Sequence, residues 1–476
     1  MKEQFDLTST FSLKGDWYLP GTEKRLSGEV SYSPGKGISL ELIGDFSENP
    51  LGLDESNYAT IQGIVEGSRD ITLFGCLLVG RSTVSLVRGS EIAKPVKTYS
   101  VRSMVDGWHY GAYEEVRCHT VYVQFDGLAE WLRVSGFKFN DVKIDHEAKT
   151  VDVHYQLPMP ISFEFPKGVN ASFDFSLNNI SLPVFRTSFE MEQVARLKLE
   201  SSDGLTLDDV LRITYRFLTF LMMGLGGESF VKGIQFFNTD TIVLMPDGST
   251  HKRETNFFYH QHFTVRENKW DFRSVTFGYP AIKDNFQQIL DNWERNFSDF
   301  EPAINLVVEQ FREKSTFTDN DFLNLAQAAE TLHDRIYPGA LKMPKGEYKS
   351  LMEKILNALP ETRKDFVQGL LQFGNNVSLR QRLNELVAMC PEDIHKLFIP
   401  DKEVFVNEVL DSRNYYTHYT LSGKKHVKRG RDLMLLTKRM HLLLIVDILL
   451  HIGISRDLLV QLFDNQKYQL QWLLEK

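Results

Sequence analysis

The main change in the hydrophobic period of this 476-residue chain lies near Tyr279-Pro280. Before that point, apolar and polar residues alternate in short runs such as 38–43 and 120–125, which is the two-residue period of half-buried strands. Beyond it, apolar residues recur every three or four positions, as on the buried face of a helix. The change predicts an α+β multidomain protein: a β-rich, sandwich-like domain over residues 1–275, followed by an all-α helical bundle over residues 281–476.

The net charge restricts the partners that the chain can bind. With 54 Lys and Arg against 63 Asp and Glu, the formal net charge is -9, so the chain as a whole repels nucleic acid and any RNA contact requires a local basic patch. Two apolar runs, 217–225 and 442–450, are each about half of a membrane span, and the first residues lack the apolar core of a signal peptide. We therefore expect a cytoplasmic protein with no membrane partner.

Metal and disulfide chemistry are not expected. The three cysteines, Cys76, Cys118 and Cys390, are odd in number and far apart, which favours a reducing compartment over a disulfide framework or a zinc site. His260 and His262 would project to one side of a strand, as some metal ligands do, but no acidic or thiol partner follows at a recognisable spacing. We expect no metal and no cofactor.

The strongest candidate for catalysis is the segment 411–420, which contains Arg413, Asn414 and His418 late in an amphipathic helix. An arginine can hold two phosphate oxygens with its planar fork, and a histidine titrates near neutrality and can move protons. Metal-free cleavage of RNA requires groups of these kinds. The spacing alone is weak evidence, since roughly one Arg-x4-His pair is expected by chance. The alternative is a surface arginine and a core histidine.

Helix geometry indicates that one copy of this segment is not enough. Positions five apart point about 140° away from each other on a helix, so Arg413 and His418 do not share a face, whereas Asn414 and His418 do. One imidazole also cannot easily serve as both base and acid in a single turnover. A homodimer through the helical domain would bring two sets of residues together in a shared cleft.

The predicted RNA-binding surface is a basic loop that follows the candidate helix, with a solvated turn as the alternative. Its charged residues are Lys424, Lys425, Lys428, Arg429 and Arg431.

Two further predictions concern the helices before the motif. A helix capped by Thr318 carries Glu330, His333 and Arg335, which could approach the Arg413 helix, although charges on an exposed helix surface are the more common case. A short helix is expected between Pro344 and Pro360.

Three stretches of the second domain resemble the HEPN domain of the ApeA-like group of bacterial anti-phage proteins. They are residues 321–330, 378–383 and 413–419, and the last resembles the RNxxxH signature of HEPN ribonucleases. In the first domain, residues 125–132 resemble the N-terminal domain of the same group, although this match is less specific.

The resemblance implies an abortive-infection endoribonuclease that is quiet until phage infection. Arg413 would stabilise the phosphate, His418 would transfer protons, and Asn414 would hold both in place. The first domain would sense a phage-derived trigger or restrain the second, and the substrate would be RNA, with tRNA as one candidate. The alternative is a non-catalytic HEPN scaffold that binds RNA or a nucleotide. The aromatic residues of the first domain would also suit carbohydrate binding, but such residues more often form a core.

Overall fold

The structure is a computed structural model, and it describes residues 5–47, 57–84, 94–140, 152–178, 191–239, 241–244, 250–261, 270, 276–312, 316–419 and 426–474. The chain divides into two compact units. The strand-rich unit comprises Met1–Leu221, Ser229–Phe272 and Gly278–Pro280, and the helical unit comprises Met222–Glu228, Arg273–Phe277 and Ala281–Lys476. The prediction of a strand-rich region followed by a helical one is confirmed.

The strands are β1 (Phe11–Tyr18), β2 (Leu26–Ser33), β3 (Gly37–Ile43), β4 (Tyr58–Val65), β5 (Arg69–Val84), β6 (Lys94–Asp106), β7 (Cys118–Phe125), β8 (Phe137–Asn140), β9 (Asp152–Tyr155), β10 (Ile161–Phe165), β11 (Val169–Asn178), β12 (Glu192–Leu205), β13 (Val231–Phe237), β14 (Ile242–Leu244), β15 (Thr250–Lys252) and β16 (Thr255–Tyr259). Two helices lie between them in sequence, α1 (Leu128–Leu132) and α2 (Leu207–Leu225).

The helices that follow the strands are α3 (Tyr279–Ile282), α4 (Phe286–Val308), α5 (Asp319–Ile336), α6 (Lys345–Asn357), α7 (Glu361–Leu371), α8 (Leu379–Met389), α9 (Glu392–His395), α10 (Lys402–His418), α11 (Gly430–His451), α12 (Arg456–Asn465) and α13 (Lys467–Leu470).

One continuous sheet organises the strand-rich unit. Its twelve strands lie in the order β10-β11-β12-β7-β13-β16-β6-β3-β2-β1-β4-β5, and β5 pairs again with β6, so β1 to β6 form a closed ring. Strand β6 is long enough to pair with β3 through residues 96–101 and with β16 through residues 103–106. It therefore belongs both to the ring and to the outer part of the sheet.

The outer part of the sheet has one apolar and one polar face. Val123 and Phe125 of β7 are buried, and the ring of Phe217 in α2 packs against Phe125 and Phe173, with centroids 5.3 and 5.8 Å apart. Because successive side chains of a strand point to opposite faces, Tyr122 lies on the face away from α2. The polar residues of these strands share that face.

In the helical unit, α5 packs against α4, α8, α10 and α11. Helix α11 buries a long apolar run that includes Leu443, Leu444 and Val446, and α4 continues as one helix through Pro302. Among the described residues, no helix combines the length and apolar character needed to cross a membrane.

Local side-chain caps determine where several of these helices begin. Thr318 and Asp321 form the capping box of α5, in which the Thr318 N–H donates to Asp321 Oδ2 at 2.7 Å. Ser378, Asp401 and Ser455 each accept a backbone N–H from the residue three positions on. These contacts satisfy N–H groups that have no partner within the helix.

Candidate functional site

Helix α10 positions the candidate residues by burying one stripe of its surface. Phe405, Val409, Ser412 and Tyr416 recur at spacings of four and three, and all are buried, so the stripe faces the helical core. On an ideal helix, Asn414 is about 200° from Ser412 and therefore lies on the opposite side. The packing of the stripe thus determines which residues of the motif face solvent.

Two residues of the buried stripe also hold the chain that follows the helix. The Tyr416 hydroxyl donates to the Lys428 carbonyl at 2.9 Å, and the Lys428 N–H donates to Ser412 Oγ at 3.0 Å. Helix α10 ends at His418, and the next residue, Tyr419, has a φ of 47° in the left-handed region. Residue 428 is thereby fixed against the helix that carries Arg413 and His418.

Arg413 lies beside the buried stripe and contacts helix α5. Its Nη2 is 3.3 Å from Glu330 Oε1, and the two side chains are 34% and 37% exposed. An ion pair with this exposure contributes at most about 1 kcal/mol. The carboxylate therefore orients Arg413, but a phosphate that offers two oxygens to the guanidinium can replace it.

A polar cluster next to this ion pair joins α5 to α8. His333 is fully buried, with Nε2 2.6 Å from Glu385 Oε2 and Nδ1 3.3 Å from Arg382 Nη1. Arg382 also donates to the Glu330 carbonyl oxygen at 3.0 Å. The hydrogen bond from His333 lowers the pKa of Glu385. The cluster therefore fixes the turn of α5 that presents Glu330 to Arg413.

His418 and Asn414 lie on the outward side of α10. His418 is exposed and Asn414 is half-buried, and the two residues are one turn apart on the same face. Within one copy of the chain, α10 therefore presents Arg413 toward α5 and His418 toward solvent.

Lys428 of the predicted RNA-binding surface already has an ion-pair partner. Its Nζ is 2.9 Å from Oε1 of Glu408, which is buried, so its charge balances a carboxylate within the fold. Lys424 and Lys425, which belong to the same predicted RNA-binding surface, lie outside the described residues.

An aromatic cluster at the end of α10 adds a feature that the sequence did not assign to the site. The rings of Tyr415, Tyr416 and Tyr419 lie 5.0 to 6.2 Å apart, and Tyr419 is 61% exposed. The Arg429 guanidinium lies 4.9 Å from the Tyr415 ring centre, and Arg431 is exposed at the start of α11. Exposed rings and guanidinium planes can stack with unpaired RNA bases. The sequence feature that could have revealed this cluster is the presence of three tyrosines between or directly after Arg413 and His418.

Of the three α5 residues predicted to approach the Arg413 helix, Glu330 pairs with Arg413, and the other two have different described partners. His333 is buried against α8, and Arg335 is exposed, with Nη1 3.7 Å from the neighbouring Asp334. The spacing predicts that all three residues lie on one helix. Which of them contacts Arg413 depends on which side of α5 faces α10.

Thiol chemistry is disfavoured in this fold. Cys76, Cys118 and Cys390 are free and buried, and burial raises the pKa of each thiol, that of Cys76 to about 12. In the part of the chain that the structure describes, no group of three His, Cys, Asp or Glu side chains could hold a metal ion. His262 of the His260-x-His262 pair lies outside that part.

The fold and this site define a protein with a strand-rich unit followed by a helical unit, which carries Arg413, Asn414 and His418 on one helix. Residues 12–293 match the family ApeA N-terminal domain 1, and residues 323–458 match the family Apea-like HEPN. The first match spans more than half of the 476 residues, so the chain belongs to the ApeA family. The resemblance stated from the residues is confirmed, and the two matches support an anti-phage HEPN-type protein. No curated protein and no solved structure matches the chain.

Proposed function

We propose that this chain is an abortive-infection endoribonuclease of the cytoplasm that cleaves RNA without a metal ion. One observation carries the proposal: α10 of an Apea-like HEPN domain combines an arginine held by a displaceable carboxylate with an exposed histidine one turn and a half further on. The proposed catalytic residues are Arg413, Asn414 and His418.

The proposed reaction is transesterification at phosphorus. The imidazole of His418 takes the proton of the ribose 2′-hydroxyl, and that oxygen attacks the adjacent phosphate while the bond to the 5′-oxygen breaks. Arg413 exchanges Glu330 for two phosphate oxygens and stabilises their charge in the transition state. Asn414, on the same face as His418, orients the phosphate and the imidazole. The products carry a 2′,3′-cyclic phosphate and a 5′-hydroxyl.

A homodimer completes the proposed site. The leaving 5′-oxygen needs a proton, and the His418 that has just accepted one cannot supply another in the same step. In a two-fold dimer through the helical domain, His418 of a second copy provides the acid. The outward direction of Asn414 and His418 on α10 supports this arrangement, because both remain accessible to a second molecule.

The remaining parts of the chain have proposed roles in binding and control. Arg429 and Arg431 contact RNA phosphates near the tyrosine cluster, and Lys424 and Lys425 also bind RNA. The substrate is RNA, with tRNA as one candidate. The strand-rich domain keeps the nuclease quiet until a phage-derived trigger arrives.

The test is cleavage of a defined RNA by purified full-length protein in EDTA, with sequencing of the RNA ends. We expect 2′,3′-cyclic phosphate or 3′-phosphate ends, and a loss of rate of about 100-fold or more for His418→Ala, since a general acid-base residue contributes about 10²–10⁴-fold. His154→Ala, which removes an exposed histidine of the strand-rich unit, is the matched control and should cleave like the wild type.

The non-catalytic scaffold predicts a different result. It would bind RNA tightly without producing new ends, and His418→Ala would leave binding unchanged. Cleavage that persists in both Arg413→Ala and His418→Ala would contradict the assigned residues.

A further inference from the structure

The strand-rich unit contains a polar cleft that the proposed ribonuclease does not use. The strand registers align Tyr122, Gln235 and Asn256 in one row across β7, β13 and β16, and all three residues line the cleft. This row lies on the sheet face opposite the one that packs against Phe217 of α2. Because α2 already covers the apolar face, the polar row is not required to form that core.

The cleft has the size of a small-molecule site. Its volume is about 350 Å³, at the lower end of the roughly 300–1,000 Å³ that ligand pockets occupy. Gly233 leaves part of the lining open, since a Cβ at this position would meet only Asp6 Cβ, at 3.9 Å. A larger side chain at Gly233 would therefore enter the cleft and not the protein core.

Arg196 lines the cleft and supplies a cation with one unused hydrogen-bond donor. Its guanidinium lies 4.8 Å from the Tyr122 ring centre, and its Nε is buried without a hydrogen-bond partner. Among the described residues it forms no ion pair within 4 Å, although Asp174 lies opposite it on β11. Lys198, two positions along the same strand, pairs with Glu200 at 2.9 Å. A buried cationic N–H without an acceptor is costly, and a phosphate would provide the missing acceptor.

The other polar groups of the cleft suit a ligand that donates hydrogen bonds. Glu254 Oε1 accepts from Gln235 Nε2 at 2.6 Å, and Asp6 Oδ1 accepts from the hydroxyls of Thr8 and Ser9 at 2.8 and 2.7 Å. The Thr8 N–H also donates to Asp6 Oδ1, at 3.0 Å. These interactions orient the two carboxylates, and a carboxylate can accept several hydrogen bonds at once, including those of sugar hydroxyls. One cation beside two carboxylates fits a ligand that carries both a phosphate and hydroxyl groups.

We propose that this cleft binds the phosphate monoester of a sugar, with the phosphate on Arg196 and the sugar hydroxyls on Glu254 and Asp6. A nucleotide and a simple sugar phosphate share this chemistry. The proposal does not depend on the ribonuclease, because it concerns only residues of the strand-rich unit.

The test is calorimetric titration of the full-length protein with AMP, UMP, ribose 5-phosphate and inorganic phosphate. We expect saturable binding of ribose 5-phosphate or of a nucleotide, and weaker or no binding of inorganic phosphate. Affinity should fall about tenfold or more in Arg196→Ala, as for the loss of a charged hydrogen bond. Gly233→Val, which places a branched side chain in the cleft, should weaken binding, and circular dichroism would show whether each variant is folded.

Lys198→Ala is the matched control, because it removes a cation from the same face of the same strand, and it should bind like the wild type. Arg413→Ala should also retain binding, since a nucleotide held at the helical site would be lost in that variant. The proposal is overturned if no ligand binds at millimolar concentration, if inorganic phosphate binds as tightly as the sugar phosphates, or if Arg196→Ala and Lys198→Ala weaken binding equally.

Discussion

Arg413 in the helical unit and Arg196 in the strand-rich unit illustrate two different surroundings for the same side chain. Arg413 Nη2 lies 3.3 Å from a carboxylate oxygen of Glu330. Arg196 stacks on Tyr122, and its buried Nε has no hydrogen-bond partner. Both arginines lie beside a surface that buries apolar residues, on α10 in one case and on β12 in the other. The difference between them is the presence of a partner.

A partner changes what an arginine can do. Arg413 has to leave Glu330 before it binds a phosphate, but the exposed pair is worth at most about 1 kcal/mol, so the exchange costs little and the carboxylate keeps the fork oriented until then. Arg196 has nothing to exchange, and an anion would satisfy a group that is already desolvated. An arginine that is held in position by a readily displaced carboxylate suits catalysis. An enclosed arginine without a hydrogen-bond acceptor suits the binding of an anion.

The largest expected effect is the loss of Arg413. Arg413→Ala should reduce RNA cleavage by about 100-fold or more, as expected when a charge-stabilising group of the transition state is removed. Arg413→Lys should recover little of the rate, because an ammonium is a point charge that cannot hold two oxygens in a plane. The measurement is the single-turnover cleavage rate at saturating protein.

The matched control for this prediction is Arg335→Ala. Arg335 is exposed on α5 next to Asp334, so its loss changes the net charge equally and should leave the rate unchanged. Cleavage by Arg413→Lys at the wild-type rate would show that the planar fork is not used.

Partners also matter in the helical unit, where the half-buried His441 provides the next largest effect. His441 Nε2 donates to the Val307 carbonyl at 2.9 Å, and burial lowers the pKa of this histidine from 6.5 to about 4. The folded state therefore binds the proton less tightly than the unfolded state. Stability is fully present above pH 6.5 and should fall by roughly 3 kcal/mol as the pH drops toward 4.

Calorimetric unfolding between pH 7 and pH 4 measures this dependence. His441→Gln keeps a donor for Val307 but cannot titrate, so its acid destabilisation should be smaller than that of the wild type. The exposed His418 is the control, and His418→Ala should follow the wild-type curve. An unchanged curve in His441→Gln would assign the acid sensitivity to other groups.

Local signals account for the parts of this fold that were predictable. The capping box of Thr318 and Asp321 is formed by residues three positions apart, and the buried stripe of α10 follows from spacings of three and four. The change of hydrophobic period is also a local signal, and it separated the strand-rich region from the helical one. The buried stripe also explains why Asn414 and His418 face outward, because the core fixes the rotation of α10.

Long-range contacts account for what sequence patterns did not predict. The second pairing of β5 with β6, which closes the ring of strands, depends on the twist of the whole sheet. Glu330 reaches Arg413 across 83 positions, and nothing local distinguishes it from Arg335. Helix α7 was not expected, because Phe366 and Leu370 on it are exposed and its apolar pattern does not mark a buried face.

A substitution at Asp447 measures how much a buried carboxyl group without a hydrogen-bond partner destabilises the fold. It is fully buried in α11, neither carboxylate oxygen has a hydrogen-bond partner among the described residues, and burial raises its pKa well above 3.8. The folded state therefore favours the protonated form, so this group's contribution is most favourable at low pH and is lost as the pH rises above 3.8. Asp447→Asn should raise the free energy of unfolding at pH 7, because the neutral amide avoids the cost of holding this carboxyl group in a buried site.

The stabilisation should shrink as the pH approaches 4, which chemical denaturation at the two pH values would measure. Asp365→Asn, at an exposed position of α7, is the control and should have little effect at either pH. A destabilised Asp447→Asn at pH 7 would mean that the carboxyl group has a stabilising role that its surroundings do not reveal.

The smallest expected effect concerns the exchange at Arg413 directly. Glu330→Gln removes the competing charge, so RNA binding should tighten by about two- to fivefold, which corresponds to an exposed ion pair of up to about 1 kcal/mol. The dissociation constant should be measured in a His418→Ala background, so that the RNA stays intact. Asp334→Asn removes the same charge from the same helix without touching Arg413, and it should tighten binding less. Equal tightening in both variants would point to general electrostatic attraction, and Glu330 would then not be the group that a phosphate displaces.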